Sequence, residues 1–380
     1  MLWRQPNDKL MNVPFLNLAA QYQSLRAELL PVVERALADS HYILGPNVAA
    51  LEQEIAAFTE TKFGIGVNSG SDALTLALRA LDIGPGDEVI TTPFTYIAPA
   101  ESIYQVGARL VFADIDAATF QISPAAVASK ITSRTRAIIP VHLFGQAAPL
   151  APLEALAQKH RLALVEDCAQ AIGATFAGRP VGQFGRLGCF SFYPTKNLGA
   201  DGDGGMVVTS DEPLARKLRM LRAHGIERRY YHDLHGYNSR LDELQAAILR
   251  VKLPHLRRWN ERRVEIARRY TAGLRDLPLQ LAVTAPGNTH VFHVYAILSE
   301  ERDALQKHLS DQGVATIIYY PLPLHLQKVY ADLGFRSGDF PVAEQISRKI
   351  LPLPIYPELT DAQADYVVAV IRQFMGASRS

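Results

Sequence analysis

The chain has 380 residues, 48% of them hydrophobic and 20% charged, a well-cored globular composition too long for one small core. A formal net charge of +1 gives no electrostatic case for nucleic acid or an anionic membrane. Two cysteines, Cys168 and Cys189, build neither a disulfide framework nor a four-thiolate cluster, and they fit a reducing cytoplasm.

Met1 to Leu10 is polar and lacks the apolar region of a signal peptide, so it reads as a loose extension or a misplaced start. No run reaches the length of a membrane span. Asn17–Ser40 predicts an amphipathic helix carrying Leu18, Tyr22, Leu25, Leu29 and Val33, with Pro31 placed to kink or split it. A turn at Gly45-Pro46-Asn47 leads to a second helix, Val48–Thr59.

A regular alternation follows. Strands are predicted at Gly64–Val67, Glu88–Thr91, Leu110–Ala113, Ala137–Val141 and Leu162–Val165. Helices are predicted at Ala73–Leu81, Tyr96–Val106, Pro124–Ser129 and Leu150–His160. Apolar runs separated by helices of about ten residues indicate a mostly parallel sheet covered on both faces. In such sheets ligands gather at the carboxyl ends of the strands. Asn68–Asp72, Pro93–Tyr96, Asp167–Gln170 and Ser191–Lys196 occupy such ends.

Glu212–Arg222 is helical, and Ala223–Ser239 reads as a long polar surface loop rich in His, Tyr and Arg. Leu241–Arg275 is a basic helical region broken at Pro254, where the domain boundary is expected: residues 14–253 and 254–380. The second part carries strands at Val291–Leu298 and Thr316–Tyr320 and helices at Arg302–Gln312, Pro341–Lys349 and Asp361–Met375. Gly376 to Ser380 reads as a frayed end.

The chemistry centres on Cys189–Gly199, where an aromatic strand ends at Tyr193-Pro194 and Lys196 follows, close to Gly199, Gly202, Gly204 and Gly205. Burial lowers a lysine's pKa and frees its amine to form a Schiff base, with a carbonyl substrate or with pyridoxal phosphate. Asn68-Ser69-Gly70-Ser71-Asp72 opens a helix and suits either a phosphate or an ordinary N-cap. Asp167, at the end of an interior strand, needs a partner: a pyridinium nitrogen, a salt bridge or a helix end. Glu166 should face the other way along the pleat. Gln170 is within reach of a cofactor's phenolic oxygen. Tyr96 offers a stacking face or a core aromatic, and Ser191 a hydroxyl for a phosphate or for the backbone. The cysteines lack the spacing and partners of a metal site.

Five segments in order carry a resemblance. They are Asn-Ser-Gly-Ser-Asp-Ala-Leu (68–74), Pro-Phe-Thr-Tyr-Ile-Ala (93–98), Val-Glu-Asp-Cys-Ala-Gln (165–170), Ser-Phe-Tyr-Pro-Thr-Lys-Asn-Leu-Gly (191–199) and Gly-Tyr-Asn-Ser-Arg-Leu-Asp-Glu-Leu-Gln-Ala-Ala (236–247). The chain resembles the DegT/StrS family of pyridoxal phosphate-dependent sugar aminotransferases. The resemblance implies fold type I: a large α/β domain with a mostly parallel sheet and a smaller α+β C-terminal domain. It implies Lys196 as the Schiff-base lysine, Asp167 on the pyridine nitrogen, Gln170 on the ring oxygen and Tyr96 stacked on the ring. Gly70, Ser71 and Ser191 would hold the phosphate. It also implies a homodimer with shared active sites, Asn238 reaching across to the neighbour's phosphate. Lys196 stands where a dehydrating branch has histidine, and two cysteines cannot supply the iron–sulfur cluster of another.

Glutamate is the expected amino donor. Arg240 is a candidate for its carboxylate or for a nucleotide phosphate, or else for an interface ion pair. Gly236–Leu253 and Tyr320–Gln327 look most like members acting at C3 of a dTDP-linked 3-keto-6-deoxyhexose, with UDP-3-keto and 4-keto sugars as alternatives. Tyr319, Tyr320 and His325 are candidates for the sugar pocket, or for packing between domains. Some family members were first described as regulators, so a non-catalytic role is the rival of another class.

Overall fold

The computed structural model describes residues 11–377, so the reading of residues 1–10 and the last three lies outside it. Two helices lead in: α1 (Leu18–Ala38) and α2 (Pro46–Phe58). The Asn17 side chain caps α1 by accepting from Ala20 N at 3.0 Å. α1 runs through Pro31 without a break. The carbonyl that a proline leaves without a donor, four residues back, belongs to exposed Ala27, where water can serve it.

The alternating region contains β1 (Phe63–Val67), α3 (Gly70–Ala80), β2 (Glu88–Thr91), α4 (Ala98–Gln105), β3 (Arg109–Phe112), α5 (Pro124–Lys130), β4 (Thr135–Ile138), α6 (Leu150–His160) and β5 (Ala163–Asp167). A small hairpin, β6 (Thr175–Phe176) and β7 (Arg179–Pro180), precedes β8 (Leu187–Ser191), β9 (Gly205–Thr209) and α7 (Glu212–Leu221). The central sheet has seven strands in the order β1-β9-β8-β5-β4-β2-β3. All are parallel except β9, which runs against both β1 and β8. The strand at β9 was not anticipated. β2 and β9 are buried throughout, and β5 along four of its five residues, as expected of strands covered on both faces.

The segment expected as a plain loop, 223–239, folds into a second hairpin, β10 (Ile226–Arg228) and β11 (Tyr231–His232). α8 (Glu243–Lys252) and α9 (Leu256–Leu274) follow, joined by a 3₁₀ turn at Leu253–His255 that accommodates Pro254. The C-terminal part holds β12 (Tyr295–Leu298), α10 (Arg302–Asp311), α11 (Pro341–Lys349), β13 (Ile350–Leu353) and α12 (Asp361–Ala377). Here β12 is half the expected length, and Thr316–Tyr320 is irregular, not a strand. β12 pairs instead with β13, antiparallel. Gly376 lies inside α12, so the chain end is helical to Ala377.

Two interleaved apolar clusters fill the two faces of the large sheet. A third gathers α9, β12, α10, β13 and α12, and takes in Val13, which also pairs with Val314. No helix among the described residues is long and apolar enough to cross a membrane.

Candidate active site

A cavity of about 380 Å³ opens at the carboxyl ends of the central strands. Of the residues singled out in the sequence, Gly70, Ser71, Tyr96, Asp167, Gln170, Ser191, Lys196, Tyr319 and Tyr320 all line it. All but Tyr319 and Tyr320, which come from the irregular 316–320 segment, lie at or just after separate strand ends brought side by side by the sheet. Asn238 and Arg240 do not line it; Asn238 is exposed and Arg240 half-buried.

His325 does not line it either, contrary to the expectation of a sugar-pocket residue. It is 2% exposed, its Nε2 sits 3.0 Å from Glu344 Oε1, and its ring packs edge-on against Phe340 at 4.7 Å. Glu344 also accepts from the Gly338 amide and the Ser337 hydroxyl. His325 is thus half of a buried pair that pins a surface loop within the C-terminal part.

One end of the cavity is an anion cup. Ser69 Oγ caps α3 by accepting from Asp72 N at 3.0 Å, so the 68–72 turn does serve as an N-cap. That bond leaves the first-turn amides of Gly70 and Ser71 facing outward, with the positive end of the helix behind them. Ser191, the last residue of β8, closes the cup. A Cβ on Gly70 would lie 2.6 Å from Ser191 Cβ, so only glycine lets the two approach. Asp72 turns its carboxylate away from the cup to accept from Ser239 Oγ at 2.6 Å, which ties the loop before α8 to this turn.

The other end holds Asp167 and Lys196. Asp167 Oδ1 accepts from Ala169 N at 3.0 Å, and Oδ2 has no partner among the described residues. Burial pushes the Asp167 carboxyl upward; the Ala169 amide and then Lys196 pull it back. Burial lowers Lys196 to about 8, opposed by the Asp167 charge. Lys196 Nζ makes no hydrogen bond among the described residues, while its backbone amide is fixed to Tyr193 O at 2.8 Å. The turn after β8 supplies the anchor and the side chain is left free to react.

Glu166 faces the opposite way, as the pleat requires, and is fully buried. It accepts from Gly182 N, Phe184 N and Gly185 N at 2.8–2.9 Å and contacts His142 Nε2 at 2.9 Å. Since His142 Nδ1 accepts from Ala148 N, the imidazole proton sits on Nε2. His142, Glu166 and Cys168 lie close enough to hold a metal ion. Both histidine nitrogens and both carboxylate oxygens are already bonded, however, and burial keeps the thiol protonated.

Tyr96, Tyr319 and Tyr320 form the aromatic wall. Tyr96 precedes α4 by two residues and is 59% exposed, a face open to the cavity mouth. Tyr320 OH receives a bond from Gln170 Nε2 at 3.1 Å, and Gln170 Oε1 accepts from Phe144 N at 2.8 Å. Gln170 keeps one further N–H. Burial pushes the Tyr320 phenol upward, so it stays a donor. Sequence reasoning missed Thr95, Tyr193, Asp203 and His293 in the lining. Thr95 and Tyr193 lie inside the quoted 93–98 and 191–199 segments, without having been assigned a role; His293 had no local signal.

These residues fit pyridoxal phosphate. The amide-lined cup matches a dianion, the open Asp167 oxygen a protonated ring nitrogen, and the desolvated amine an aldehyde.

The family model of the DegT/DnrJ/EryC1/StrS aminotransferases matches residues 23–372. A pleiotropic regulatory protein of Geobacillus stearothermophilus is 51% identical, covering 96% of this chain and 99% of its own. A UDP-N-acetyl-3-dehydro-alpha-D-glucosamine 3-aminotransferase of Acidithiobacillus ferrooxidans is 49% identical, over 95% of this chain and 97% of its own. From Streptomyces venezuelae, a dTDP-3-amino-3,4,6-trideoxy-alpha-D-glucose transaminase is 47% identical, over 95% of this chain and 96% of its own. The crystal structure of S. venezuelae DesV, also 47% identical, superposes with a TM-score of 0.94 over 96% of this chain and 98% of that one. The chain therefore belongs to the DegT/DnrJ/EryC1/StrS family, as a pyridoxal phosphate-dependent aminotransferase of fold type I.

Proposed function

We propose that this enzyme moves an amino group from glutamate to C3 of a nucleotide-linked 3-keto sugar, with a dTDP-3-keto-6-deoxyhexose as the substrate class. The observation that carries the reading is one cavity holding a desolvated lysine, an open carboxylate and an amide cup, in a chain whose relatives include sugar aminotransferases named for C3. The cofactor supplies an aldehyde carbon that carries the amino group and a ring that withdraws electrons from it.

The chain's own residues do the rest. Asp167 Oδ2 holds the ring nitrogen's proton, and the Gly70 and Ser71 amides with the Ser191 hydroxyl fix the phosphate. Tyr96 stacks on the ring, and the spare N–H of Gln170 reaches its oxygen. Lys196 Nζ bonds the cofactor at rest. Once displaced, its amine, whose pKa burial lowers to about 8, would carry the proton between the substrate carbon and the cofactor's aldehyde carbon. Tyr319 and Tyr320 face the sugar.

A second copy completes the site. Asn238, exposed and outside its own cavity, reaches the neighbour's phosphate, and Arg240, without an ion-pair partner among the described residues, binds the glutamate carboxylate or a nucleotide phosphate. Exposed Tyr42, Ile43, Leu44, Tyr230 and Tyr231 support a covered surface there. The enzyme works in the cytoplasm, as its two free, buried cysteines suit.

A UDP-linked 3-keto hexosamine is the second reading, favoured by the 49% identical relative. The test is incubation with glutamate and a panel of dTDP- and UDP-linked 3-keto and 4-keto sugars, with the product read by mass spectrometry and NMR. Amination at C3 of the dTDP sugar is expected. An amine at C4, or a coloured protein that turns over none of the panel, overturns the proposal; the second outcome favours a regulatory role.

A further inference from the structure

His293 belongs to no motif, yet its ring lines the same cavity as Lys196. It lies between Phe292 and β12, and three side chains fix its protonation. Asn260, on α9, donates from Nδ2 to Ile172 O at 3.0 Å, which leaves its Oδ1 as an acceptor. Asn197 Nδ2 donates to that Oδ1 at 2.8 Å and to Val291 O at 3.1 Å. Asn197 must therefore turn its own Oδ1 toward His293, whose Nδ1 sits 3.1 Å away and carries the proton. The chain of donors runs one way only.

The other ring nitrogen, Nε2, is consequently an unprotonated acceptor, and among the described residues it has no partner. The ring stays neutral for three reasons: burial, then the nearby cations Lys196 and Arg263. Arg263 is itself held by Phe292 O and Ile355 O, so it cannot swing away. An acceptor of fixed tautomer thus stands within electrostatic reach of an amine that has no acceptor of its own.

We infer that His293 is a positioning residue for Lys196: its Nε2 receives the Lys196 Nζ hydrogen whenever that amine is not bonded to the cofactor. Both side chains line the one cavity, and the bond requires only a rotation about the lysine's flexible stem. The one carboxylate whose charge acts on the amine, Asp167, is committed to the cofactor ring, whereas Nε2 is a neutral acceptor lining the same cavity. Nε2 keeps the amine parked near the reacting carbon instead. The inference rests on the reading of Lys196 as the cofactor lysine.

The test uses the full chain freed of cofactor and the pH dependence of Lys196 labelling by trinitrobenzenesulfonate, quantified by peptide mass spectrometry. Wild type should show a midpoint above the value of about 8 that burial and the Asp167 charge alone set. Lys196, Asp167, Asp203, Arg263 and the Tyr96, Tyr193, Tyr319 and Tyr320 phenols are the titratable or charged groups facing this region, and all are kept. A charge-assisted bond to Nε2 favours the ammonium form, so His293→Phe should lower the midpoint by about one unit. His293→Gln retains an acceptor oxygen and should restore it. In the holoenzyme, His293→Phe should lower kcat roughly tenfold and leave KM for the keto sugar unchanged. His293→Leu, a smaller side chain, gives the same reading if the phenylalanine variant does not fold. A midpoint near 8 in wild type and in the apolar variants alike overturns the inference and leaves the site reading intact. A wild-type midpoint at the ordinary lysine value of about 10.4 overturns both.

Discussion

Glu166 and Asp167 are adjacent carboxylates on one strand, both buried, and they face opposite sides of the sheet. Glu166 has four hydrogen-bonding neighbours, three of them backbone amides of the 182–185 loop. Asp167 has one, and its second oxygen opens on the cavity. A buried charge whose lone pairs are all matched holds structure together. One left half-matched at a strand end costs stability that only a ligand can return. The contrast separates scaffold from site without reference to any relative.

The largest expected effect lies across the cavity from that open oxygen. Lys196→Ala should reduce turnover by at least ~10³-fold and remove the near-visible absorbance of the lysine-bound cofactor, with circular dichroism unchanged. Asp167→Asn should lower kcat roughly 100-fold or more, while urea unfolding of the cofactor-free protein shifts by less than about 1 kcal/mol, because a poorly matched buried charge is removed. Glu166→Gln should show the reverse pattern. It places an NH₂ group among donors, so stability should fall by about 3 kcal/mol, while kcat of the folded fraction stays within a few-fold. If both carboxylate variants behave alike, the distinction between the two faces fails.

The smallest effect concerns pH. Lys196 titrates near 8 in the folded chain against 10.5 when unburied, so between those values the unfolded chain binds more protons. Stability of the cofactor-free protein relative to Lys196→Ala should therefore rise as pH goes from 8 to 10.5, as read by thermal melts. Asp167 acts oppositely: its raised pKa makes stability fall as pH climbs through the acid window above 3.8.

Much of this arrangement was legible because it is local. Lys196, Asp167 and the 68–72 turn each sit where a short apolar run stops, and a parallel sheet brings all such stops to one edge. Neither β9 nor its direction was read from the sequence: Gly205–Thr209 is a short run among glycines that reads alike in either orientation, and only pairing with β1 and β8 sets it. Thr316–Tyr320 is apolar enough for a strand, but its tyrosines are used as cavity wall and no neighbour among the described residues pairs with it. His325 and His293 show the same limit from both sides. His325 stands in a motif-like run and turns inward to Glu344; His293 stands in none and reaches the cavity through an asparagine 96 residues away in sequence.

The central claim is that the Lys196 amine carries the cofactor. Borohydride reduction of the holoenzyme, followed by proteolysis and mass spectrometry, tests it most directly. The account predicts a phosphopyridoxyl group on the peptide containing Lys196 and on no other. The same mass on a different lysine, with Lys196 unmodified, would contradict it.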